Sequence, residues 1–209
     1  PRRFEGRRLF PRRHHHPGGP GLGERRLPVR RHGSRHRRLC ENGEVKMTVD
    51  YASLFPPEAG RWPTTAELYR SGCAQVPEEQ GIYFICVPPG KKITFENRFW
   101  TPAKDPGQST PYPAEALEQK YARQGRPCLL YIGKASGKKG LRQRLRQYIR
   151  HGWGEIGNHL GGRAVWQTSD CQDLLVLWAV CPDPVQEEHG LLEAYCRRRK
   201  DYPLANWRS

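Results

Sequence analysis

The chain has 209 residues, of which 36% are hydrophobic, and its formal net charge at pH 7 is +15. This length predicts one domain with a modest core, and the longest apolar run, residues 174–181, is too short to cross a membrane. The seven cysteines have no zinc-binding spacing, and their odd number favours a reducing, cytoplasmic compartment over a disulfide scaffold.

The N-terminal tract, residues 1–46, is rich in Arg, Pro, Gly and His and has no apolar periodicity, so we predict that it is disordered. Most of the positive charge lies here, because residues 1–47 hold 14 basic and 4 acidic residues whereas residues 48–209 hold 22 and 17. Three interpretations stay open: a native start at Met47 with the tract not native, a functional basic arm, and an inert tail.

An N-terminal extension is predicted over 47–77, with one short helix near 64–71 that Thr64-Thr65-Ala66-Glu67 opens in the form of a capping box. The apolar run 81–87 predicts a buried strand, and residues 92–95 are expected to pair with it as a hairpin strand. Residues 97–127 carry five prolines, which indicates an insertion, with a helix expected at 114–123.

A second apolar run, residues 128–132, follows a proline and precedes a glycine, which predicts another buried strand. Apolar residues at 141, 145, 148 and 149 then give the stripe of an amphipathic helix. Arg144 and Tyr148 are one turn apart and therefore share a face of this helix. A tyrosine, a lysine and an arginine brought together in this way are suited to binding a phosphate.

Two more elements are predicted near the C-terminus: a strand at 174–180, and a helix at 184–200 with a proline in its first turn and basic residues in its last turn. Between the second and third strands, the loop from His159 to Gln167 gathers polar and aromatic residues. This loop could contact DNA or brace the sheet through Trp166. The cysteines at 86, 128 and 181 lie in apolar runs and are predicted to be buried.

Two tripeptides, Gly81-Ile82-Tyr83 and Tyr131-Ile132-Gly133, occur in this order with the arginine helix behind the second. Together they resemble the signature of the GIY-YIG endonuclease superfamily. The segment around the second tripeptide is similar to the nuclease domain of the excision-repair incision subunit and to the restriction-enzyme branch. Tyr83 and Tyr131 are 48 residues apart, whereas compact members separate the tripeptides by about a dozen residues; the insertion at 97–127 accounts for the difference.

This resemblance implies an α+β nuclease domain over 78–209, in which three mostly antiparallel strands pack with flanking helices. It also implies a metal-dependent endonuclease that hydrolyses phosphodiester bonds in DNA, although RNA is not excluded as a substrate. The metal would be Mg²⁺ or Mn²⁺, held by Glu193 on the last helix, with Asn206 following it as in other members. Glu187 and Glu188 are the fallback ligands.

Further roles follow from the same resemblance. Arg144 would bind the scissile phosphate, Tyr83 or Tyr131 would orient or deprotonate the attacking water, and Tyr148 would position these groups. Lys134 would contact phosphate or lower a tyrosine pKa. On pattern alone the two tripeptide tyrosines could equally be core aromatics, and the alternative function is a nucleic-acid-binding module that retains the fold without cutting.

Overall fold

In the computed structural model, residues 62–100, 110–155 and 161–207 are described. Within them the chain forms four α-helices and one three-stranded sheet, an α+β arrangement as the sequence predicted. The helices are α1 (Thr65–Ser71), α2 (Ala114–Arg123), α3 (Gly140–Gly152) and α4 (Pro184–Arg199); the strands are β1 (Gly81–Cys86), β2 (Leu129–Ala135) and β3 (Leu175–Val180). The predictions for residues 1–46 and for His159 fall outside these ranges.

The sheet has the order β2-β1-β3, with β1 antiparallel to both neighbours. Both edges of β1 are therefore occupied, and the predicted hairpin strand at 92–95 is wrong. Phe95 instead forms an isolated bridge with Thr168. The chain turns away from β1 after Pro88-Pro89. The short apolar patch at residues 92–95 therefore pairs outside the sheet, through Phe95 and Thr168.

Every residue of β1 is buried, because the sheet is covered on both faces. Tyr83 and Ile85 belong to the core on the side of α1 and α3. Ile82 and Phe84 belong to a second core with the Leu191–Leu192 pair of α4. A central strand with two buried faces reads as a continuous apolar run rather than an alternating one, as this strand does.

The helix boundaries follow local signals in the sequence. The capping box at α1 is present: the Glu67 N–H donates to Thr64 Oγ1 over 3.2 Å, and the Thr64 N–H donates to Glu67 Oε2 over 2.7 Å. Helix α2 spans the predicted residues.

The prediction for Cys128 is wrong, since it is exposed, whereas Cys86 and Cys181 are buried. Across the described residues, no helix has the length and apolar character needed to cross a membrane.

Strand β2 continues through Gly133 and Lys134 to Ala135, three residues beyond the predicted end at residue 132. Gly133 lies opposite Tyr83 in the register, and the tyrosine ring crosses directly over it. A Cβ at this position would lie 2.4 Å from Tyr83 Cζ and 2.6 Å from its hydroxyl oxygen. The glycine therefore leaves space for a buried ring, and it extends the strand where the sequence indicated a turn.

Gly133→Ala should destabilise the protein, because the added methyl group collides with a ring that is itself fully buried. Overpacking of this kind costs about 1–3 kcal/mol of unfolding free energy. Gly137→Ala is the matched control, since nothing lies within 4 Å of its Cβ. Urea denaturation of both variants measures the difference, and equal midpoints would mean that Tyr83 moves aside freely.

Candidate functional site

The structure brings together three tyrosines that the sequence had assigned to one site. The ring centroids of Tyr83 and Tyr131 are 5.9 Å apart, those of Tyr83 and Tyr148 are 5.9 Å apart, and those of Tyr131 and Tyr148 are 5.7 Å apart. Tyr83 and Tyr148 are fully buried, and Tyr131 keeps 6% of its exposure. We call these three residues the tyrosine cluster.

Burial is the main influence on the acidity of this cluster. It raises the pKa of Tyr83 and raises the pKa of Tyr131 and Tyr148 well above the ordinary tyrosine value, because an ionised phenolate would lose its hydration. The positive charge of Arg144 acts on all three in the opposite direction, lowering the pKa of each, but it does not outweigh burial. All three hydroxyl groups are therefore protonated at neutral pH.

The hydroxyl groups differ in their partners. The hydroxyl of Tyr148 donates a hydrogen bond to the Gly162 carbonyl oxygen over 3.1 Å. The hydroxyl of Tyr83 faces Tyr131 and Arg144, whose hydrogen-bonding contacts lower its pKa, but neither contact has the geometry of a well-formed hydrogen bond. A buried polar atom without a bonding partner is uncommon and requires an explanation. Tyr83 is thus the member of the cluster that packing alone does not account for.

Arg144 connects the buried cluster to the surface. It is half-buried on α3, one turn before Tyr148, so both side chains leave the same face of the helix. It also lines a cleft of about 310 Å³ between β2 and α3. Other residues of this cleft are Lys134, Lys139, Gln143 and Gln147. The cleft therefore combines an arginine backed by three tyrosines with two amines and two amides.

Glu188 of α4 is linked to this cleft through Lys134, which lines it. It forms an ion pair with Lys134, and 15% of its side chain is exposed. Its negative charge contributes to raising the pKa values of Tyr83 and Tyr131. Glu188 lies three and four residues before Leu191 and Leu192, on the face of the helix that packs against the sheet. That spacing separates Glu188 from Glu193, but it does not separate it from Glu187, which lies four residues before Leu191.

The other two candidate carboxylates lie elsewhere on α4. Glu193, the predicted metal ligand, is 51% exposed, and its oxygens lie 3.7 Å from His189 Nε2 and 3.7 Å from Arg197 Nη1. Glu187 is buried, and its charge acts on the Cys181 thiol, helping burial to raise that pKa to about 11. Glu188, by contrast, raises the pKa of Tyr83 and of Tyr131.

Asn206, predicted as a catalytic residue, binds the backbone of β2. Its Nδ2 donates to the Ile132 carbonyl oxygen over 2.8 Å, and its Oδ1 accepts from the Ile132 N–H over 3.0 Å. Its own carbonyl oxygen accepts from the buried ammonium of Lys120 over 3.1 Å, together with those of Pro203 and Leu204. Burial lowers the pKa of this lysine. Asn206 therefore fixes the C-terminal segment along the outer edge of β2.

Asn206→Ala should lower the stability of the whole domain, because it leaves the N–H and C=O of buried Ile132 without partners. Unsatisfied buried groups cost about 1–3 kcal/mol each, so we expect a loss of about 2 kcal/mol or more. Urea denaturation provides the measurement. A catalytic role without a structural one would instead leave the unfolding midpoint unchanged.

The described part of the His159–Gln167 loop braces the fold. Trp166 is 1% exposed and packs against Tyr148, with ring centroids 4.9 Å apart. The amide of Gln167 donates to the Glu96 and Tyr112 carbonyl oxygens over 2.8 and 2.7 Å, and its oxygen accepts from the Tyr112 N–H over 2.9 Å. This arrangement favours the bracing interpretation of the loop for Trp166 and Gln167.

No group of three or more His, Cys, Asp and Glu side chains suited to a metal ion occurs among the described residues. A site with a single carboxylate, such as that of Glu188, would not form such a group.

In the comparisons with known proteins, no family model, curated protein or solved structure matches this chain.

Proposed function

We propose that the chain is a metal-dependent endonuclease of the GIY-YIG type that hydrolyses phosphodiester bonds in DNA. The observation that supports this most is the convergence, at one cleft, of Arg144, the tyrosine cluster and the Lys134–Glu188 pair. The two tripeptides supply two of these residues, Tyr83 and Tyr131, and β1 and β2 pair so that Tyr83 lies opposite the glycine of the second tripeptide. Residues far apart in sequence thus meet as phosphodiester hydrolysis would require.

Hydrolysis of a phosphodiester needs positive charge at the phosphate, because negative charge on the phosphate oxygens repels an incoming nucleophile and increases in the transition state. Arg144 can supply this charge with a planar group that donates two parallel hydrogen bonds to phosphate oxygens. Its position is held by the buried cluster behind it, which reduces the reorganisation needed during the reaction. Lys134 lies in the same cleft and is free to turn its long side chain from Glu188 toward a phosphate.

The attacking water would be oriented by the tyrosine cluster. Tyr131 is the member that keeps some exposure, and Tyr83 lies beside it. Because both hydroxyl groups are protonated at neutral pH, they act first as hydrogen-bond donors or acceptors rather than as bases. A tyrosine could accept the proton only after further positive charge at the cleft had lowered its pKa.

Glu188 is the residue that fits a divalent cation here. It is a hard oxygen ligand at the edge of the cleft, and Mg²⁺ is typically held by one or two protein carboxylates while keeping several waters. Its present partner, Lys134, is a single mobile ammonium that a cation could displace. When bound, Mg²⁺ or Mn²⁺ would supply Lewis-acid stabilisation of charge on the phosphate oxygens.

Incubation of the full chain with supercoiled plasmid DNA tests this proposal. We expect open-circular product in Mg²⁺ or Mn²⁺ and none after chelation, since hydrolysis depends on the cation. Binding without any cleavage of DNA or RNA would favour the alternative, a nucleic-acid-binding module with the same fold. Cleavage that survives chelation would contradict the metal-dependent mechanism.

A further inference from the structure

Three hollows lie in a row along the outer surface of α3. The first is the candidate cleft, and the second, of about 290 Å³, shares Lys139 and Gln143 with it. The second also contains Arg146, which it shares with a third hollow of about 430 Å³ that Arg70 of α1 lines as well. Because neighbouring hollows share lining residues, they adjoin one another from Arg144 to Arg70, and we call this stretch of surface the α1–α3 groove.

This groove is predominantly positive. Besides Lys134 and Arg144, its cations are Arg70, Lys138, Lys139, Arg142, Arg146 and Arg150. Two carboxylates oppose them: Glu78 pairs with Arg142 at 2.5 Å, and Glu155 pairs with Arg150 at 2.7 Å. The other four cations, Arg70, Lys138, Lys139 and Arg146, are exposed, and they lie on α1, on the turn before α3 and on α3 itself. The groove therefore presents a row of positive charge to a polyanion.

Aromatic side chains stand at the far end of the groove. Tyr69, which lines the third hollow, stacks on Trp153 with ring centroids 4.6 Å apart and planes within 11°. Trp100 meets the same indole edge-on at 4.8 Å and is 37% exposed, one of the few large hydrophobic side chains at the described surface. The exposed indole of Trp100 thus rests against Trp153, which is itself stacked on Tyr69, and it offers a surface on which a flat ring can stack.

A positive groove that ends at aromatic side chains matches the requirements of a single nucleic-acid strand, whose phosphates follow the cations and whose unpaired bases stack on the rings. A duplex keeps its bases stacked within the helix and gains nothing from such rings. We propose that the α1–α3 groove binds a single-stranded segment of the substrate, leading away from the candidate cleft. This inference extends the proposed nuclease function. It rests on that function only in assuming that the cut is made at the candidate cleft.

The test uses the full chain in metal-free buffer, so that binding is measured without cleavage. Fluorescence anisotropy compares a short labelled single-stranded oligodeoxynucleotide with the duplex of the same length over a range of salt. We expect tighter binding of the single strand. Arg70→Ala combined with Arg146→Ala should weaken it roughly 10-fold and reduce the salt slope by about 1.4, since each lost phosphate contact on a single strand removes about 0.7.

The matched control is Arg197→Ala combined with Arg198→Ala, which removes the same two charges from an exposed part of α4. It should leave single-strand binding nearly unchanged. Trp100→Ala should weaken single-strand binding roughly 10-fold, in line with the loss of one stacked base, and leave duplex binding unchanged. Circular dichroism confirms that each variant folds.

Equal losses from the two arginine pairs, tighter binding of the duplex, or no effect of Trp100→Ala would each overturn this inference. The outcome is separable from that of the proposed function. If the wild type cuts no substrate but the binding results are as expected, the nuclease proposal fails and the groove inference stands. If the wild type cuts and the Arg70 and Arg146 changes leave binding intact, only the groove inference fails.

Discussion

Glu188→Gln is expected to abolish metal-dependent cleavage, whereas Glu193→Gln should leave the rate largely unchanged. Both substitutions keep the shape of the side chain and remove one negative charge from the same helix. They differ in position, since Glu188 pairs with Lys134 at the cleft and Glu193 lies 51% exposed between His189 and Arg197. A divalent cation at the cleft needs the carboxylate, because an amide oxygen carries no full charge to hold it.

Plasmid nicking in Mg²⁺, beside a gel shift in Ca²⁺, measures cleavage and binding separately. Glu188→Gln should bind DNA as well as the wild type or slightly better, because it removes a negative charge near the phosphate. Loss of cleavage in Glu193→Gln with full activity in Glu188→Gln would contradict the assignment and support the choice of Glu193. Loss of binding in Glu188→Gln would indicate that the side chain is needed for the fold of the cleft.

The face of α4 that meets the cleft illustrates what linear spacing cannot predict. The resemblance implies Glu193 as the metal ligand, because Asn206 follows it at a suitable distance in sequence, and that assignment stays a prediction. Five residues of α-helix, however, turn a side chain by about 140°, so Glu188 and Glu193 lie on different faces of α4. Only the packing of Leu191 and Leu192 against the sheet fixes which face meets the cleft. The sequence distance from Glu193 to Asn206 runs through the end of α4 and a loop, so it does not indicate which face of the helix a side chain occupies.

Other parts of the site were predictable because local patterns determine them. Arg144 and Tyr148 are one helical turn apart, and that spacing places both on the inner face of α3 wherever the helix packs. The apolar runs of β1 and β2 predicted strands, and their antiparallel pairing brings Tyr83 and Tyr131 within 5.9 Å. The resemblance of the two tripeptides to a known signature already predicts that these two tyrosines share a site, and the pairing of β1 with β2 is the physical reason why they meet.

The remaining features depend on contacts between distant segments. The binding of Asn206 to both backbone groups of Ile132 requires the C-terminal segment to lie along β2, which no local pattern indicates. Residues 92–95 have the composition of a strand, but whether they pair depends on which edges of β1 remain open. The α1–α3 groove likewise combines a helix from the N-terminal extension with the arginine helix, and only the fold brings Arg70 and Arg146 together.

Tyr83→Phe should reduce the cleavage rate roughly 100-fold or more, in the range found when one preorganised hydrogen-bond donor is removed, while the protein stays at least as stable as the wild type. The hydroxyl is fully buried beside Arg144 and Tyr131 and makes no well-formed hydrogen bond with either. Removing such a group relieves a desolvation penalty of about 1–3 kcal/mol rather than breaking a bond. Activity and stability should therefore change in opposite directions.

Arg144→Ala provides a comparison, since loss of a preorganised charge typically reduces turnover by roughly 100-fold or more. If Tyr83 acts by holding or tuning Arg144, the double variant should be no slower than Arg144→Ala alone, because the two residues act as one unit. Single-turnover cleavage of plasmid DNA and urea denaturation supply the two measurements.

Tyr195→Phe is the control for loss of a phenolic hydroxyl on the opposite face of the sheet. Its hydroxyl donates to Gln124 Oε1 over 2.9 Å, and burial raises its pKa to about 12. Losing this hydrogen bond should cost about 1 kcal/mol of stability without changing the cleavage rate. If Tyr83→Phe behaves in the same way, less stable but fully active, then Tyr83 is a core aromatic residue and the unpartnered hydroxyl has no part in the chemistry.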